Sequence, residues 1–129
     1  MKILAVDDED DTLDFLRDVL ASAGHEVTTA ADAGAAMAAV QTDRFDVVLL
    51  DIMMPGMDGI EFQQWMRRHW DVAEVPVIMI SCLTDAGSKE QARVHGCFDY
   101  IEKPFRLKRL FEVLRQLERG QDQGAMLES

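Results

Sequence analysis

The chain has 129 residues, of which 48% are hydrophobic and 29% charged, the size and balance of one globular domain. A formal charge of −11 argues against direct binding of nucleic acid or of an anionic membrane surface. The sequence contains no apolar run near the ~20 residues of a membrane-spanning helix, and its start lacks a secretory signal pattern. Cys82 and Cys97 are too few for a disulfide scaffold, which favours reduced thiols and a cytoplasmic location.

Short apolar runs alternate along the chain with longer helical patterns. The predicted strands are Lys2–Val6, Glu26–Thr29, Val47–Leu50, Val77–Ile80 and Phe98–Ile101. The predicted helices are Thr12–Ala23, with Gly24 as its stop, Ala33–Gln41, Ile60–His69, the largely polar Thr84–His95, and Leu107–Leu117. Strands that alternate with helices form βαβ units, so the sequence predicts an α/β fold with a parallel sheet and helices on both faces.

The last residues differ in composition from the rest. The segment Arg119–Ser129, RGQDQGAMLES, is polar and rich in turn-forming residues. We therefore expect one domain over residues 1–118, followed by a tail that is a linker stub, an expression remnant or a frayed end.

Polar residues follow four of the five predicted strands. The first strand runs into Asp7 and Asp8, the third into Asp51, the fourth into Ser81 and the fifth into Lys103. Because the carboxyl ends of parallel strands form the ligand-binding edge of such a sheet, these residues are candidates for one common site. Taken singly, each has an ordinary alternative as a helix cap, a loop acid, a turn residue or a solvated lysine.

Crowded carboxylates at this edge would need compensation of their charge. If the strands before Asp7 and Ser81 flank the strand before Asp51, three carboxylates share a small cleft. Mg²⁺ prefers such oxygen ligands, and Lys103 could bind an oxyanion as a cationic point charge. The alternative is a protonated or solvated acid cluster without a metal.

Four segments together resemble the receiver domain of two-component response regulators. They are VDDE at 6–9, LLDIMMPGMDG at 49–59, IS at 80–81 and DYIEKPF at 99–105, and the resemblance extends from residue 2 to about 118. The resemblance implies a flavodoxin-like (βα)5 fold, with five strands in the order 2-1-3-4-5 and five helices.

The resemblance also implies a role for each matching residue. Asp51 would accept a phosphoryl group from a phosphohistidine on a sensor histidine kinase or a histidine phosphotransfer protein. Mg²⁺ would be held by Asp7, Asp8, Asp51 and the Met53 carbonyl, with Asp8 the more direct ligand. Lys103 and Ser81 would each bind a phosphoryl oxygen, Tyr100 would change rotamer as part of the switch, and the Lys103–Pro104 peptide would be cis.

Some residues depart from the family's usual pattern. Ser81 stands where threonine is commoner, and Cys82 stands where a small alanine or glycine is usual. Met53 and Leu83 are apolar where polar residues could orient a hydrolytic water, so we expect a long-lived phosphoryl form.

The sequence is compatible with other functions. The chain could be a degenerate receiver that binds partners without phosphorylation. A Mg²⁺-dependent phosphohydrolase of the haloacid-dehalogenase type is disfavoured, because such enzymes need an acid at the position of Met53. We expect catalysis of self-phosphorylation and self-dephosphorylation only. The sequence leaves open the effector or output domain, and also a homodimer through the face formed by Thr84–His95, the fifth strand and the last helix.

Overall fold

A computed structural model describes residues 1–54, 56–69, 74–81, 90–91, 93–94 and 96–128, and only the backbone over 121–128. The strands are β1 (Lys2–Val6), β2 (Glu26–Ala30), β3 (Val47–Leu50), β4 (Val77–Ser81) and β5 (Asp99–Glu102). The described helices are α1 (Asp10–Ser22), α2 (Ala33–Thr42), α3 (Gly59–Arg68) and α4 (Leu107–Glu128). Each predicted strand is therefore present, with ends that differ by no more than one residue.

The five strands form one parallel sheet in the order β2-β1-β3-β4-β5. This confirms the predicted α/β class and the flavodoxin-like strand order. In the register between β1 and β3, Val6 is paired with Leu50. The residues that follow these two strands, Asp7 and Asp51, consequently begin at the same level of the sheet.

Two hydrophobic cores cover the two faces of the sheet. Consecutive strand residues such as Leu49 and Leu50 point to opposite faces and belong to different cores. One core contains α1 and α4 side chains: Leu13, Leu16, Leu20, Leu110, Val113, Leu114 and Leu117. The other contains α2 and α3 side chains: Ala33, Ala36, Val40, Phe62 and Met66. Because β3 and β4 are covered on both sides, their side chains are buried throughout.

Aspartates and a glycine mark several helix boundaries. The Asp32 and Asp58 side chains each accept a hydrogen bond from a backbone N–H in the first turn of α2 and α3. Helix α1 begins at Asp10, two residues before the prediction, since acidic residues in the first turn suit the helix dipole. Gly24 follows α1 with a φ of 92°, which agrees with its prediction as the helix stop.

The predicted end of the last helix is wrong. Helix α4 does not stop at Leu117 but continues to Glu128, through the segment that was expected to be turn-rich. Glutamine, alanine, methionine, leucine and glutamate in this segment all have good helix propensity, and Gly120 and Gly124 do not interrupt it. The division into a domain at 1–118 and a tail at 119–129 stays a prediction.

The predicted helix Thr84–His95 lies mostly outside the described residues. Within it, Glu90, Gln91, Arg93 and Val94 are helical. Among the described parts of the chain, no helix is long and apolar enough to cross a membrane.

Candidate functional site

The backbone of the sheet positions two aspartates at its carboxyl edge. The Asp7 amide donates to the carbonyl of Ala30 at 3.1 Å, and the Asp51 amide donates to the carbonyl of Val6 at 3.0 Å. The inter-strand hydrogen bonds thus continue one residue past the ends of β1 and β3. Both aspartates are buried, with 3% of Asp7 and 5% of Asp51 exposed. Their carboxylates therefore face each other in a site largely shielded from water.

Lys103 bridges these two carboxylates. Its ammonium nitrogen lies 2.7 Å from Oδ2 of Asp7 and 3.3 Å from Oδ2 of Asp51. The lysine follows β5, and its backbone amide donates to the carbonyl of Ser81 at 2.9 Å, which fixes the start of its side chain beside β4. One cation therefore partly neutralises two buried anions that come from strands remote in sequence.

Backbone amides hold the other two carboxylate oxygens. The Glu9 amide donates to Oδ1 of Asp7 at 2.9 Å, and the Met53 amide donates to Oδ1 of Asp51 at 3.0 Å. Every carboxylate oxygen of the two buried aspartates thus has a partner. These contacts set the orientation of each carboxylate before any ligand binds.

A third aspartate completes a set of oxygen donors suited to a divalent cation. One carboxylate oxygen from each of Asp7, Asp8 and Asp51 lies within 4.8 Å of the other two, and Asp8 is exposed. Hard carboxylate oxygens are the ligands that Mg²⁺ prefers, and an exposed ligand leaves room for the waters that it retains. The residues therefore fit a magnesium ion, which would compete with Lys103 for the carboxylates.

The surroundings of the site raise the pKa values of both Asp51 and Lys103 above their ordinary values. Burial raises the pKa of Asp51 above its ordinary value; the Met53 amide opposes this rise, Asp7 adds to it, and Lys103 opposes it. Burial alone would lower the pKa of Lys103, but its hydrogen bond to Asp7 and the charges of both aspartates outweigh that effect and raise it. The ionised form of Asp51 therefore lowers the stability of the fold, and a cation bound beside it would offset this effect.

Replacing Asp51 by asparagine should raise the free energy of unfolding at pH 7. The pKa of Asp51 in the folded protein lies above its value of about 3.9 in the unfolded chain. The stability that protonated Asp51 contributes is therefore complete below about pH 3.9 and is lost as the pH rises through the folded-state pKa, whereas asparagine stays neutral. Urea unfolding of wild type and variant at several pH values measures this. The advantage of the variant should shrink toward about pH 4; an advantage that is independent of pH would contradict the assigned cause.

Gly59 packs directly against the backbone of Asp51, a contact that we did not predict. A Cβ atom at Gly59 would lie 2.2 Å from the Asp51 carbonyl oxygen and 2.8 Å from Cα of Ile52, while the Gly59 amide donates to the Ile52 carbonyl at 2.8 Å. Only glycine permits this approach. The MDG sequence at 57–59 signals a helix start, but the contact depends on tertiary structure.

Gly59→Ala should therefore destabilise the protein by about 3 kcal/mol, since rigid backbone atoms must move to admit the methyl group. Chemical denaturation measures this loss. Gly120→Ala is the matched control, because its Cβ would meet nothing within 4 Å in the middle of α4. That control should be stabilised by roughly 0.5–1 kcal/mol; similar effects of the two changes would refute the close-packing explanation.

The remaining predicted site residues lie at or near the same edge. Ser81 ends β4 and is fully buried, Tyr100 is half-buried in β5, and Met53 is 52% exposed. The Lys103–Pro104 peptide is cis, as predicted. Cys82 and Leu83 lie outside the described residues, so the expectations for them stay predictions.

A groove of about 480 Å³ opens beside Lys103, a feature that sequence patterns did not reveal. It is lined by Asp11, Thr12, Phe15, Lys103, Pro104 and Phe105. Phe15 is 48% exposed although it lies on the amphipathic helix α1. The groove therefore offers apolar contacts immediately next to the charged site.

The fold and the residues at the carboxyl edge of the sheet together define a class of protein. Its members are doubly wound α/β domains with an acidic site, bridged by a lysine, at the carboxyl ends of their strands. Residues 3–115 match the family model of the response regulator receiver domain. The chain belongs to this family, whose receiver domains are generally signalling switches and not classical enzymes.

Known proteins of similar sequence are transcriptional and response regulators. The chain is 38% identical over 121 residues to the transcriptional regulatory protein TcrA of Mycobacterium tuberculosis, covering 92% of this chain and 46% of TcrA. It is 36% identical over 122 residues to the heme response regulator HssR of Staphylococcus haemolyticus, covering 94% of this chain and 53% of HssR. The chain thus spans about half the length of these curated relatives.

Solved structures show the same fold. The chemotaxis protein CheY4 of Vibrio cholerae superposes with a TM-score of 0.85 at 34% identity, covering 90% of this chain and 97% of CheY4. NtrX of Brucella abortus superposes with a TM-score of 0.88 at 33% identity, covering 98% of this chain but 29% of NtrX. The similarity therefore includes both a short protein matched almost entirely and one part of a long protein.

Proposed function

We propose that the chain is a phosphorylation-activated switch in which Asp51 is the phosphoacceptor. The observation that carries this proposal is the ion pairing of one lysine with two buried aspartates at the carboxyl edge of the sheet. Phosphoryl transfer requires positioning and neutralisation of charge more than covalent help from the protein. A buried, oriented carboxylate beside a fixed ammonium group meets both requirements.

The proposed reaction is a displacement at phosphorus. An Asp51 carboxylate oxygen forms the new P–O bond while the P–N bond of a phosphohistidine breaks, and the imidazole leaves with the electron pair of that bond. Lys103 is within reach of the phosphoryl oxygens that approach Asp51, because its ammonium group is already 3.3 Å from Oδ2. The product is an acyl phosphate, which also makes hydrolysis back to the free aspartate chemically accessible.

Asp7, Asp8 and Asp51 would hold Mg²⁺, together with the predicted carbonyl of Met53. When bound, the ion neutralises charge on the phosphoryl oxygens. Asp8 can turn toward an ion without cost to the core because it is exposed, whereas Asp7 is buried and its Oδ2 is already paired with Lys103. The metal and the lysine thus draw on the same buried carboxylates.

Phosphorylation would act on the conformation through charge. A phosphoryl group adds about −1.5 to −2 of charge at the edge where Ser81 and Lys103 lie. Two or three charge-assisted hydrogen bonds at roughly 1.5–3 kcal/mol each are comparable with the ~5.5 kcal/mol needed to invert a 1:99 equilibrium. We assign Ser81 and Tyr100 to this switch as a hydroxyl that binds the phosphoryl group and an aromatic side chain that moves with it.

The partners of the switch follow from the same chemistry. The phosphodonor would be a sensor histidine kinase or a histidine phosphotransfer protein, and the groove beside Lys103 gives it apolar surface next to the reacting carboxylate. The output would be an effector protein or a further domain, as the greater lengths of TcrA and HssR suggest. A DNA-binding output would have to come from another domain, since the charge of this chain is −11.

Intact-mass spectrometry of the purified chain with acetyl phosphate tests the proposal. With Mg²⁺ present, the protein should gain the mass of one phosphoryl group; with a chelator, the gain should fall by at least about tenfold, since the cation supplies several kcal/mol of charge stabilisation. Buffer without acetyl phosphate is the control. A protein that gains no phosphoryl group under either condition, and also none from a phosphorylated histidine protein, would favour the degenerate, phosphorylation-independent receiver instead.

A further inference from the structure

One buried polar side chain has no role in the site described above. Gln63, in α3, is fully buried, and neither its amide oxygen nor its amide nitrogen has a hydrogen-bond partner in the described part of the chain. Most buried polar groups in proteins are paired, so an unpaired amide requires an explanation. An amide in this position raises the free energy of the conformation that contains it.

Gln63 occupies the middle of a stripe along α3. Gly59, Gln63 and Arg67 are spaced four residues apart and therefore lie on one side of the helix. At one end, Gly59 touches the backbone of Asp51. At the other end, the Arg67 guanidinium donates to the carbonyls of Val75 and Gly96 at 3.0 and 3.2 Å. The unpaired amide thus lies between the phosphoacceptor and contacts at the far end of α3.

The sheet layer that faces α3 also contains the end of β4. Val77 and Met79 belong to the core on the α3 side, whereas Ile78 and Ile80 belong to the opposite core. Alternation along the strand directs Ser81 to the α3 side as well. A rearrangement of Ser81 toward a modified Asp51 would therefore disturb the same layer in which Gln63 is buried.

We propose that Gln63 is a built-in bias toward the phosphorylated conformation: its amide is unpaired in the resting state and becomes hydrogen-bonded when phosphorylation rearranges this layer. The inference rests on the proposed phosphorylation of Asp51. The unpaired amide raises the free energy of the resting state and not that of the phosphorylated state. The free-energy difference between the two states therefore becomes smaller. Gln63 is then a positioning residue for the switch and does not touch the phosphoryl group.

Gln63→Met tests the inference, because methionine keeps the length of the side chain and removes the amide. The thermal midpoint of unfolding is measured with Mg²⁺ alone and with Mg²⁺ plus beryllofluoride, a mimic of the aspartyl phosphate. The variant should raise the midpoint of the unmodified protein by about 5 °C and raise that of the beryllofluoride form much less. By linkage, its apparent affinity for beryllofluoride should fall about five- to thirty-fold. Gln64→Met, at a half-buried neighbouring position on α3, is the control. It should change neither the difference between the two thermal midpoints nor the apparent affinity for beryllofluoride.

Two results would overturn the inference while leaving the proposed function intact. An equal rise of both midpoints would show that the amide is unpaired, or bound to water, in both states. A fall in the midpoint of the unmodified variant would show that the amide is already paired at rest. A wild type whose midpoint and mass respond to neither beryllofluoride nor acetyl phosphate would refute the proposed function and this inference together.

Discussion

Asp51→Asn is expected to abolish incorporation of a phosphoryl group from acetyl phosphate in the presence of Mg²⁺. Asparagine has the same shape as aspartate, and its side-chain oxygen can still accept the hydrogen bond that the Met53 amide donates at 3.0 Å. The substitution removes the anionic nucleophile while the backbone geometry is preserved. The mass gain should fall below detection, and the variant should remain folded because the buried charge that it removes is a costly one.

Asp32→Asn is the matched control for this prediction. It is the same chemical change at an exposed helix cap, where asparagine caps as well as aspartate does, and it should leave phosphorylation at the wild-type level. The modification should also be labile to hydroxylamine, as an acyl phosphate is and a serine phosphate is not. A phosphoryl group that persists in Asp51→Asn, or one that resists hydroxylamine, would place the acceptor elsewhere.

Lys103→Met is expected to lower the free energy of unfolding at pH 7 by about 3 kcal/mol, because it leaves two buried carboxylates without their cation. It should also slow phosphorylation by about a hundredfold or more, the usual effect of removing one group that stabilises charge in the transition state. Urea unfolding and the time course of the mass gain measure the two effects. Lys108→Met, an exposed lysine on α4, is the control and should change neither by much.

The pH dependence of this variant follows from the direction of the pKa shifts. The pKa of Lys103 is raised in the folded protein, so its stabilising contribution is complete below its unfolded pKa of about 10.4 and is lost as the pH rises through the folded value. The deficit of Lys103→Met should therefore disappear at strongly alkaline pH. It should also shrink in acid, where protonation of Asp51 removes one of the two anions that Lys103 neutralises. Addition of Asp51→Asn should recover part of the loss at pH 7, whereas strictly additive effects would show that the two side chains do not interact.

The order of the helices and strands, and the residue types at the carboxyl edge of the sheet, were predictable from the sequence. The continuous apolar runs of β3 and β4 indicate strands buried on both faces, and their alternation with helical patterns indicates a parallel sheet. The polar residues directly after the strands then identify Asp7, Asp51 and Lys103 as candidates. The strand order and the individual roles came from the resemblance to receiver domains, since local patterns do not encode which strands become neighbours.

The end of α4 shows where local patterns were insufficient. Among the described side chains of α4, the apolar stripe that packs on the sheet extends to Leu117. The backbone stays helical to Glu128, through residues of good helix propensity. The helix period therefore predicted the extent of the apolar stripe and not the end of the helix.

By itself, the sequence determined the α/β class and supplied the acids and the lysine at the ends of strands, because periodicity and residue type are local properties. Only the tertiary structure decided that Lys103 bridges Asp7 and Asp51, that Gly59 touches the backbone of Asp51 and that the amide of Gln63 is buried without a described partner. These contacts join residues from separate strands and helices, and their distances depend on how the helices pack on the sheet.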